Sequence, residues 1–473
     1  MADHGSARVR AGELALAAGG RLVAGLPDVE LGDISIDSRR IRPGDVFLAI
    51  RGNRLDGHDF IAEAVGRGAA GVIVSDTAAA PVTGASRVAP ATIVVGDTTH
   101  ALQSIARDVR RRSGAKVVAI TGSVGKTTTK ELTAAFIGTR HDVLRNEGNL
   151  NNHIGLPLSL LALRRRPEVA VVELGMNHAG EIHTLVGIAE PNVRVWTNVA
   201  EVHAESFASI EGIADAKAEI LDGATARDHL VVNAGDTLAM ERIGGFPGGV
   251  TTFGVDTQAD VRATDVEDRG IDGMRAAVET PAGAGGLSTR LLGAGQVANV
   301  VAAIAVALLF QVPVEAMLRE AAAFAPPPRR GEVIRLAQGV TVVDDSYNSN
   351  PAALEQALRS LGSDKGHRRR VAVLGEMLEL GPRARLLHRA CGRLAVEAGF
   401  DVLVAVGGPA AEALAEGARA AGLDAGHAVT CGTSEDAASL TAALVRAGDL
   451  VLVKGSRGVR VDRVADRLKA ERA

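Results

Sequence analysis

The sequence predicts an α/β protein of three domains, and three observations support this fold class. The chain has 473 residues, which is about the length of three ordinary domains. Apolar strand-like runs alternate with helical stretches along most of the chain, as in parallel sheets covered by helices on both faces. The segment 325–328 (A-P-P-P) interrupts this alternation. Because proline cannot continue a helix, a domain boundary is expected there.

The composition excludes several classes of protein. Apolar residues make up 47% of the chain and charged residues 23%, enough for several cores in a water-soluble protein. The net charge of -4 and the aromatic content of 2% provide neither a basic surface nor stacking platforms for nucleic acid. The most apolar stretch, Val297 to Val312, is interrupted by Asn299 and Gln311, so no membrane insertion is expected. Two cysteines and a polar N-terminus favour a cytoplasmic location.

The first predicted domain, residues 1–114, is of mixed α/β type. Short strand-like runs at 46–50 and 71–74 stand among clusters of turn residues. A polar, arginine-rich helix is predicted from Ala101 to Arg112, and the Ser113-Gly114 pair after it is a plausible linker.

The second predicted domain, residues 115–325, has a central parallel sheet and the segment T-G-S-V-G-K-T-T at 121–128, a combination typical of P-loop ATPase-like domains. Its first strand, Val117 to Ile120, is apolar throughout, which is typical of strands buried on both faces. Further strands are predicted at 169–174, 193–199 and 230–233, with helices at 130–137, 210–223 and 297–309.

The third predicted domain, residues 326–473, repeats the alternation of strands and helices. Parallel strands are predicted at 340–343, 371–374, 402–406 and 450–453. This pattern indicates a small Rossmann-like domain, although no G-x-G-x-x-G follows its first strand.

A glycine-rich loop joins the first central strand to the next helix. Residues 121–128 read T-G-S-V-G-K-T-T, and such a loop turns backbone N–H groups toward phosphate oxygens. Lys126 is placed to reach the terminal phosphates, and the Thr127 hydroxyl is placed to bind Mg²⁺. The alternative is an ordinary strand-to-helix turn with a surface lysine. The predicted nucleotide-binding residues are Gly122, Ser123, Val124, Gly125, Lys126, Thr127 and Thr128.

Two further residues are candidate magnesium ligands. Glu173 ends an otherwise apolar strand, and the carboxyl ends of parallel strands face the ligand crevice of such sheets. A carboxylate that simply enters solvent is the alternative. His203 follows the next strand, where a histidine is more often a hydrogen-bonding loop residue than a metal ligand.

Lys217 breaks the pattern of its predicted helix. Ile213, Lys217, Ile220 and Leu221 share one helix face, whereas the acidic residues lie mostly on the other. A lysine in an apolar stripe favours a functional role. The alternative is a side chain that extends along the apolar surface to solvent.

The glycine-rich loop resembles the ATP loop of the Mur ligases and folylpolyglutamate synthases, with Ile120 in place of the first glycine of the longer pattern. These enzymes join an amino group to a carboxylate through an acyl phosphate. Further segments similar to Mur ligases span essentially the whole chain, whereas the D-N-P-R motif of the diaminopimelate-adding sister ligase is absent. The matching segments are G-N-L-N-N-H-I-G-L-P at 148–157, E-L-G-M-N at 173–177, D-D-S-Y-N at 344–348 and K-G-S-R at 454–457.

The resemblance implies roles that spacing alone leaves undecided. His203 matches a histidine that helps to bind the second metal ion. Lys217 matches a lysine that CO₂ converts to a carbamate, which then binds Mg²⁺. Gln296 and Asn299 match the amides before the adenine-contacting helix, although Gly295 stands where the family has histidine.

The resemblance also implies contacts in the outer domains. Arg330 matches an arginine near ATP, and Asp345 a carboxylate that contacts the ribose. From context alone, Arg330 is equally an exposed interdomain arginine. Ser38 and Arg39 match a segment that binds the UDP end of the substrate, although by themselves they are only a turn. The 148–157 segment adds two predicted substrate-binding residues, Asn149 and Asn152.

A three-domain, ATP-dependent ligase with Mg²⁺ as cofactor is what the resemblance implies. The expected partners are UDP-N-acetylmuramoyl-tripeptide and D-alanyl-D-alanine, bound by the first and last domains of a monomer. ATP would phosphorylate the tripeptide carboxylate, and the dipeptide amine would attack the acyl phosphate. The third residue of the tripeptide, diaminopimelate or lysine, stays open.

Two rival functions differ from this expectation. One is a sister amide ligase such as a folylpolyglutamate synthase, which differs in its amino acceptor. The other is a non-catalytic nucleotide switch. Glu173 and Lys217 argue against the switch, because a binding module needs no second metal ion.

Overall fold

The computed structural model describes residues 8–52, 54–75, 89–201 and 205–472. Strands and helices alternate along the chain, and parallel pairs dominate the larger sheets. The predicted α/β class is therefore confirmed. Across these ranges, none of the helices combines the length and apolar character needed to cross a membrane.

The chain divides into two compact units, each formed from three segments. This division does not test the predicted domain boundaries at residues 114 and 325, which stay predictions. The first unit comprises Met1–Ile120, His141–Arg194 and Glu219–Asp228, and the second comprises Thr121–Arg140, Val195–Ala218 and His229–Ala473.

The described residues form the following strands and α-helices, in chain order. The strands are β1 (Val9–Arg10), β2 (Arg21–Ala24), β3 (Glu30–Leu31), β4 (Ile34–Ser35), β5 (Val46–Leu48), β6 (Gly71–Val74), β7 (Ala91–Val94), β8 (Lys116–Thr121), β9 (Val143–Arg145), β10 (Val169–Glu173), β11 (Val193–Trp196), β12 (His229–Asn233), β13 (Gly249–Val255), β14 (Val261–Asp268), β15 (Met274–Thr280), β16 (Gly283–Thr289), β17 (Glu332–Arg335), β18 (Thr341–Asp345), β19 (Arg369–Gly375), β20 (Val402–Val406), β21 (Ala428–Cys431) and β22 (Asp449–Lys454). The helices are α1 (Ala11–Ala17), α2 (Ile61–Gly66), α3 (Thr98–Ser113), α4 (Lys126–Gly138), α5 (Gly155–Leu160), α6 (Glu181–Ala189), α7 (Ile210–Ala218), α8 (Thr237–Met240), α9 (Ala294–Leu309), α10 (Val314–Ala323), α11 (Pro351–Gly362), α12 (Ala384–Glu397), α13 (Pro409–Ala420), α14 (Ser434–Leu444) and α15 (Asp462–Arg472).

The N-terminal part of the first unit is a five-stranded sheet in the order β2-β7-β6-β5-β4. Strands β4 to β7 pair in parallel, and β2 forms an antiparallel edge. The predicted strands at 46–50 and 71–74 correspond to β5 and β6, and every residue of both is buried. Burial on both faces explains why these runs are apolar without alternation.

Helix α3 is longer than predicted at its N-terminal end. The side chain of Asp97 accepts a hydrogen bond from the N–H of His100 at 2.7 Å and so begins the helix at Thr98. At the other end, Gly114 adopts a left-handed conformation with φ of +72°, which glycine adopts at little cost. The polar cap, rather than the first apolar residue, therefore sets the start of the helix.

The first unit also contains the parallel strands β9, β10 and β8. Every residue of β10 is buried, and its last residue, Glu173, pairs with Ile120 of β8. Glu173 therefore stands at the carboxyl end of an apolar strand, as the sequence predicts.

In one region of the second unit, the sequence predicted β12 but missed β13, β14, β15 and β16. Strands β12, β13 and β14 pair in parallel, whereas β14, β15 and β16 pair in antiparallel fashion. Residues of β15 alternate between buried and more exposed positions. Such half-buried strands lack the continuous apolar runs by which the parallel strands are recognised.

Helix α9 forms the centre of the adjoining core and packs against α4. Val300, Val301, Ile304 and Val306 are all completely buried. Each such side chain contributes about 1.5–3 kcal/mol relative to exposure. The helix was predicted from residue 297, and it begins at Ala294.

The C-terminal sheet of the second unit has the order β17-β18-β22-β19-β20-β21. Only β17 is antiparallel to its neighbour among these described strands. Leu374 and Leu403 enter the core on one face, while Val373 and Val404 enter the core on the other. Side chains alternate because successive strand residues point to opposite faces. The four predicted strands correspond to β18, β19, β20 and β22, and β17 and β21 were missed.

Candidate active site

The phosphate loop turns through two glycines with positive φ. Gly122 has φ of +152° and Gly125 has φ of +83°. A Cβ atom on Gly122 would lie 1.9 Å from Oγ1 of Thr197, and one on Gly125 would lie 2.1 Å from Oδ1 of Asn299. Both positions therefore require glycine for their backbone conformation and for the space around them.

Residues 198–200 bind the outer part of this loop. The N–H of Ser123 donates to the carbonyl of Asn198 at 3.0 Å, and the N–H of Val124 donates to Oδ1 of Asn198 at 2.9 Å. The hydroxyl of Ser123 donates to the carbonyl of Ala200 at 3.0 Å. The N–H groups of Ser123 and Val124 are thus engaged by protein in this structure. The positive potential for phosphate comes from the N-terminus of α4, whose first N–H groups have no intrahelical acceptor.

Lys126, the first residue of α4, is folded back over the loop. Its Nζ donates to the carbonyl of Gly122 at 2.7 Å and to that of Ser123 at 3.2 Å. These bonds keep an ammonium group beside the loop that would hold phosphates. The same charge acts on Lys217, whose pKa it helps to lower.

Lys217 is buried in α7, as the apolar helix face predicts. Its exposed fraction is 1%, and Ile213 on the same face of the helix is also buried. Burial lowers the pKa of Lys217 well below its usual value, and the charge of Lys126 lowers it further. No ion pair among the described residues involves this amine. Because desolvation disfavours the charged ammonium, burial favours the neutral amine, the form that can act as a nucleophile.

Two amides near the start of α9 are bonded to each other and to α4. Nδ2 of Asn299 donates to Oε1 of Gln296 at 2.8 Å. Oδ1 of Asn299 accepts from the hydroxyl of Thr129 at 3.2 Å. Asn299 therefore links α9 to α4, the helix that follows the phosphate loop. Its contact on the adenine side stays a prediction.

Glu173 is held by asparagines within the first unit. Its Oε1 accepts from Nδ2 of Asn151 at 2.7 Å, and its N–H donates to Oδ1 of Asn146 at 3.0 Å. The exposed fraction of Glu173 is 4%, so the alternative, a carboxylate that simply enters solvent, does not occur. Neither Asn146 nor Asn151 was predicted as a site residue, although Asn151 lies within the 148–157 motif.

Arg330 and Asp345, the two ATP-binding residues predicted in the third domain, each contact another side chain of the C-terminal region. Nζ of Lys454 forms an ion pair of 2.5 Å with Oδ2 of Asp345. The guanidinium carbon of Arg330 lies 4.0 Å from the centre of the Tyr347 ring. Lys454 and Tyr347 belong to motifs noted in the sequence but were not predicted as site residues.

Comparison with known proteins decides the family. Three family models together match most of the chain: the Mur ligase family catalytic domain at residues 31–110, the Mur ligase middle domain at 120–307, and the Mur ligase glutamate ligase domain at 329–457. The chain belongs to the Mur ligase family.

Similar proteins and solved structures show which members of this family the chain resembles. UDP-N-acetylmuramoyl-tripeptide–D-alanyl-D-alanine ligase of Bacillus subtilis is 31% identical over 433 residues, with 91% of this chain and 92% of that protein covered. The enzyme of the same name from Escherichia coli is 32% identical over 455 residues, with 93% and 94% covered. A crystal structure of MurF from Acinetobacter baumannii has a TM-score of 0.87 at 31% identity, with 98% and 99% covered. The structure of MurF ligase from Thermotoga maritima in complex with ADP has a TM-score of 0.80 at 29% identity, with 93% and 97% covered.

Other predicted residues have local partners in this Mur ligase. Ser38 is buried, and its hydroxyl donates to Oε2 of Glu63 at 2.8 Å. Arg39 is exposed and forms an ion pair with Asp37 at 2.9 Å. Arg39 thus presents a cation at the surface of the first unit, whereas the hydroxyl of Ser38 is directed to Glu63.

The two predicted asparagines of the 148–157 motif differ in environment. Oδ1 of Asn152 accepts from the N–H of Ile154 at 3.2 Å and from that of Gly155 at 2.8 Å. It therefore fixes the start of α5, which is the usual role of asparagine before a helix. Asn149 is exposed.

Gly295, which stands where the family has histidine, faces the side chain of Gln356. A Cβ atom on Gly295 would lie 2.7 Å from Oε1 of Gln356, on α11. The side chain of Gln356 therefore occupies space that a histidine at position 295 would need.

The structure describes some, but not all, of the predicted metal-binding residues. His203 lies outside the described residues. Within the described ranges, no group of three or more His, Cys, Asp or Glu side chains could hold a metal ion. The predicted ligands Thr127 and carbamylated Lys217 do not belong to these residue types, so this finding does not test them.

Proposed function

We propose that this Mur ligase catalyses the ATP-dependent joining of D-alanyl-D-alanine to UDP-N-acetylmuramoyl-tripeptide. The supporting observation is end-to-end similarity to relatives named for this reaction, at 31% and 32% identity over more than nine tenths of the chain. The products are the UDP-linked pentapeptide, ADP and phosphate. The reaction supplies a peptidoglycan precursor, and the expected location is the cytoplasm.

The second unit carries the residues proposed to act on ATP. The loop glycines and the N-terminus of α4 bind the phosphates, and Lys126 stabilises charge on the transferred phosphoryl group. The tripeptide carboxylate attacks the terminal phosphorus, and ADP leaves. The dipeptide amine then attacks the acyl carbon, and phosphate leaves with its bonding electron pair and takes up the proton that the nitrogen loses. Gln296, Asn299, Arg330 and Asp345 are the further ATP-binding residues of this proposal.

Magnesium is the proposed cofactor, and it would neutralise charge on the phosphates when bound. Within the second unit, we propose the Thr127 hydroxyl and carbamylated Lys217 as ligands. Burial of the Lys217 amine fits this role, because burial lowers its pKa and so favours the uncharged amine that carbamate formation consumes. Glu173 is proposed as a ligand on the evidence of the first unit, where two asparagines fix its otherwise apolar position. His203 completes the set on family resemblance alone.

The UDP precursor is assigned to the first unit. Arg39 offers an exposed cation and Asn149 an exposed amide for the nucleotide-sugar or peptide. Ser38 and Asn152 are the other proposed substrate-binding residues, although in this structure they bond to Glu63 and to the N–H of Gly155. These assignments rest on the matching family segments.

A cavity in the C-terminal sheet of the second unit is the proposed dipeptide site. It measures about 510 Å³ and lies at the carboxyl ends of β19, β20 and β21, where parallel sheets commonly bind ligands. Glu376, Thr433, Arg460 and Arg463 are among its lining residues. Arg463 is ion-paired with Glu435, so Arg460 is the cation assigned to the dipeptide carboxylate.

Release of phosphate tests the proposed reaction. UDP-N-acetylmuramoyl-tripeptide, with either lysine or diaminopimelate as third residue, is combined with ATP, Mg²⁺ and D-alanyl-D-alanine. We expect stoichiometric phosphate and pentapeptide. Turnover with folate and L-glutamate, but not with the dipeptide, would instead support the folylpolyglutamate synthase alternative.

The dipeptide cavity is tested separately. Arg460→Ala should raise the KM for D-alanyl-D-alanine and leave the KM for ATP unchanged. Arg467→Ala is the matched control, because Arg467 is an exposed arginine of α15 paired with Glu471. Equal effects of the two substitutions would argue against this assignment.

A further inference from the structure

Residues 329–331, directly after the proline run, are attached to the C-terminal sheet. The N–H of Tyr347 donates to the carbonyl of Arg329 at 3.0 Å, and the N–H of Gly331 donates to the carbonyl of Asp344 at 3.0 Å. These bonds continue the pairing of β17 with β18 toward the prolines. The backbone of Arg330 is therefore fixed to the same sheet edge that carries Tyr347.

Arg329 strengthens this attachment through its side chain. Its guanidinium is ion-paired with Asp462 and, at 3.1 Å, with Asp466, both on α15. The backbone of Arg329 has φ of +65°, a conformation that costs energy for a residue other than glycine. The ion pairs hold the segment in this conformation. As a result, the side chains of Arg329 and Arg330, although consecutive in sequence, contact different partners.

Arg330 lies on an aromatic ring instead of pairing with a carboxylate. Its guanidinium carbon is 4.0 Å from the centre of the Tyr347 ring, which is the geometry of a cation–π contact. The guanidinium carbon of Arg457 lies 5.4 Å from the same centre, and Arg457 also approaches the Tyr347 hydroxyl at 3.5 Å. No ion pair within the described part of the chain involves Arg330. Stacking fixes a guanidinium through its flat face and leaves its N–H edge able to donate to an anion.

We propose that Tyr347 is a positioning residue whose ring holds Arg330 with its N–H edge presented to the phosphates of ATP. The inference rests on the proposed ATP role of Arg330 and adds the group that orients it. A carboxylate partner would satisfy the same N–H donors and so compete with phosphate, whereas the ring does not. The attachment of residues 329–331 makes Arg330 and Tyr347 one preformed pair.

The ring, and not the hydroxyl, is the part of Tyr347 that this role requires. Tyr347→Phe keeps the aromatic face, and Tyr347→Leu removes it at similar bulk. We expect Tyr347→Leu to raise the KM for ATP by about 3- to 30-fold, the range given by cation–π energies, with the KM for the UDP precursor unchanged. Tyr347→Phe should restore the value of the unmodified enzyme. Arg359→Ala removes an exposed arginine of α11 paired with Glu355 and serves as the control.

A spectroscopic measurement tests the stack without relying on activity. The chain contains one tyrosine, so the whole protein labelled with 3-fluorotyrosine gives one ¹⁹F resonance. Arg330→Ala should shift this resonance, and Arg359→Ala should not. Addition of ADP should shift it in the parent protein and fail to do so in Arg330→Ala.

The outcomes separate the possible failures. An unshifted resonance in Arg330→Ala, or an unchanged KM for ATP in Tyr347→Leu, would overturn the positioning role. If the resonance responds to Arg330→Ala but not to ADP, the contact between Arg330 and Tyr347 is supported and the ATP role of Arg330 is refuted. Failure of Tyr347→Phe to restore the KM would assign the effect to the hydroxyl and overturn the proposal.

Discussion

Nζ of Lys454 and Oδ2 of Asp345 form an ion pair of 2.5 Å at the carboxyl ends of two neighbouring parallel strands. The side chain of Lys454 is only 3% exposed, whereas that of Asp345 is 24% exposed. Lys454 also donates to the carbonyl of Asn348 at 3.1 Å. The residue predicted to contact the ATP ribose is therefore held in place by a lysine that solvent hardly reaches.

The difference in burial predicts unequal effects on stability. Asp345→Asn leaves a buried ammonium without its anion and should lower the free energy of unfolding by about 3–5 kcal/mol. Lys454→Met leaves a carboxylate that water can reach and should cost less, about 1–3 kcal/mol. Urea unfolding of the two variants measures both values. Equal losses would contradict the explanation from burial.

Lys126→Ala should retain the fold and lose phosphoryl transfer. Removal of the ammonium that stabilises the transferred group should lower turnover by about 10²- to 10³-fold or more. Lys116→Ala, at the exposed start of β8, is the control and should keep its activity. Phosphate release and circular dichroism of both variants give the result. Near-normal turnover of Lys126→Ala would refute the phosphate-loop assignment.

Gly125→Ala should abolish ATP binding, and Gly114→Ala should not. Both glycines have positive φ, but a Cβ at Gly125 meets Asn299, whereas one at Gly114 meets no described atom within 4 Å. The Gly114 variant therefore measures the backbone cost alone, about 1–2 kcal/mol. Calorimetric titration with ADP separates the two effects. Similar ADP affinities would show that the loop tolerates a side chain.

Lys217→Met should be more stable than the parent protein near neutral pH in CO₂-free buffer without Mg²⁺. Burial and Lys126 lower the folded-state pKa of Lys217 below its usual value of 10.5, so between these two pKa values the unfolded chain binds more protons. Stability of the parent protein therefore rises with pH across that window, and the advantage of Lys217→Met should shrink toward pH 10.5. Urea midpoints measured across this range test the sign. An advantage that does not change with pH would refute it.

The carbamate proposal makes a separate prediction for activity. Lys217→Ala should be nearly inactive, and short carboxylic acids should restore part of the turnover by occupying the vacated anion position. Lys217→Arg should stay inactive, because the site uses a negative rather than a positive charge. Normal activity of Lys217→Arg, or detection of only free amine in active enzyme under CO₂, would refute the carbamate.

Gly295→His should weaken ATP binding unless Gln356 is shortened as well. The added side chain must displace Gln356, whose Oε1 would lie 2.7 Å from the new Cβ. Gln356→Ala should therefore recover much of the loss in the double variant, so the two effects are not additive. ADP affinities of both single variants and the double variant give the coupling. Additive effects would show that Gln356 does not fill the histidine position.

Local sequence determined much of the fold and part of the site. The strands β8, β10, β20 and β22 each contain a run of at least four apolar residues. Parallel strands have such runs because they are buried on both faces, and this signal is readable without any partner. The phosphate loop is a contiguous motif between a strand and a helix. The burial of Lys217 follows from the 3.6-residue period of its own helix, which the sequence contains in full.

Contacts between distant residues were decided only by the tertiary structure. The antiparallel strands at 261–289 show no continuous apolar run, and α9 and α10 pack against them. The sequence named Arg330, Asp345 and Gly295, but not the Tyr347, Lys454 and Gln356 side chains that contact these positions. Periodicity and motif spacing report only which face of an element is buried. Which side chain of a distant element meets that face is set by the packing of the folded chain.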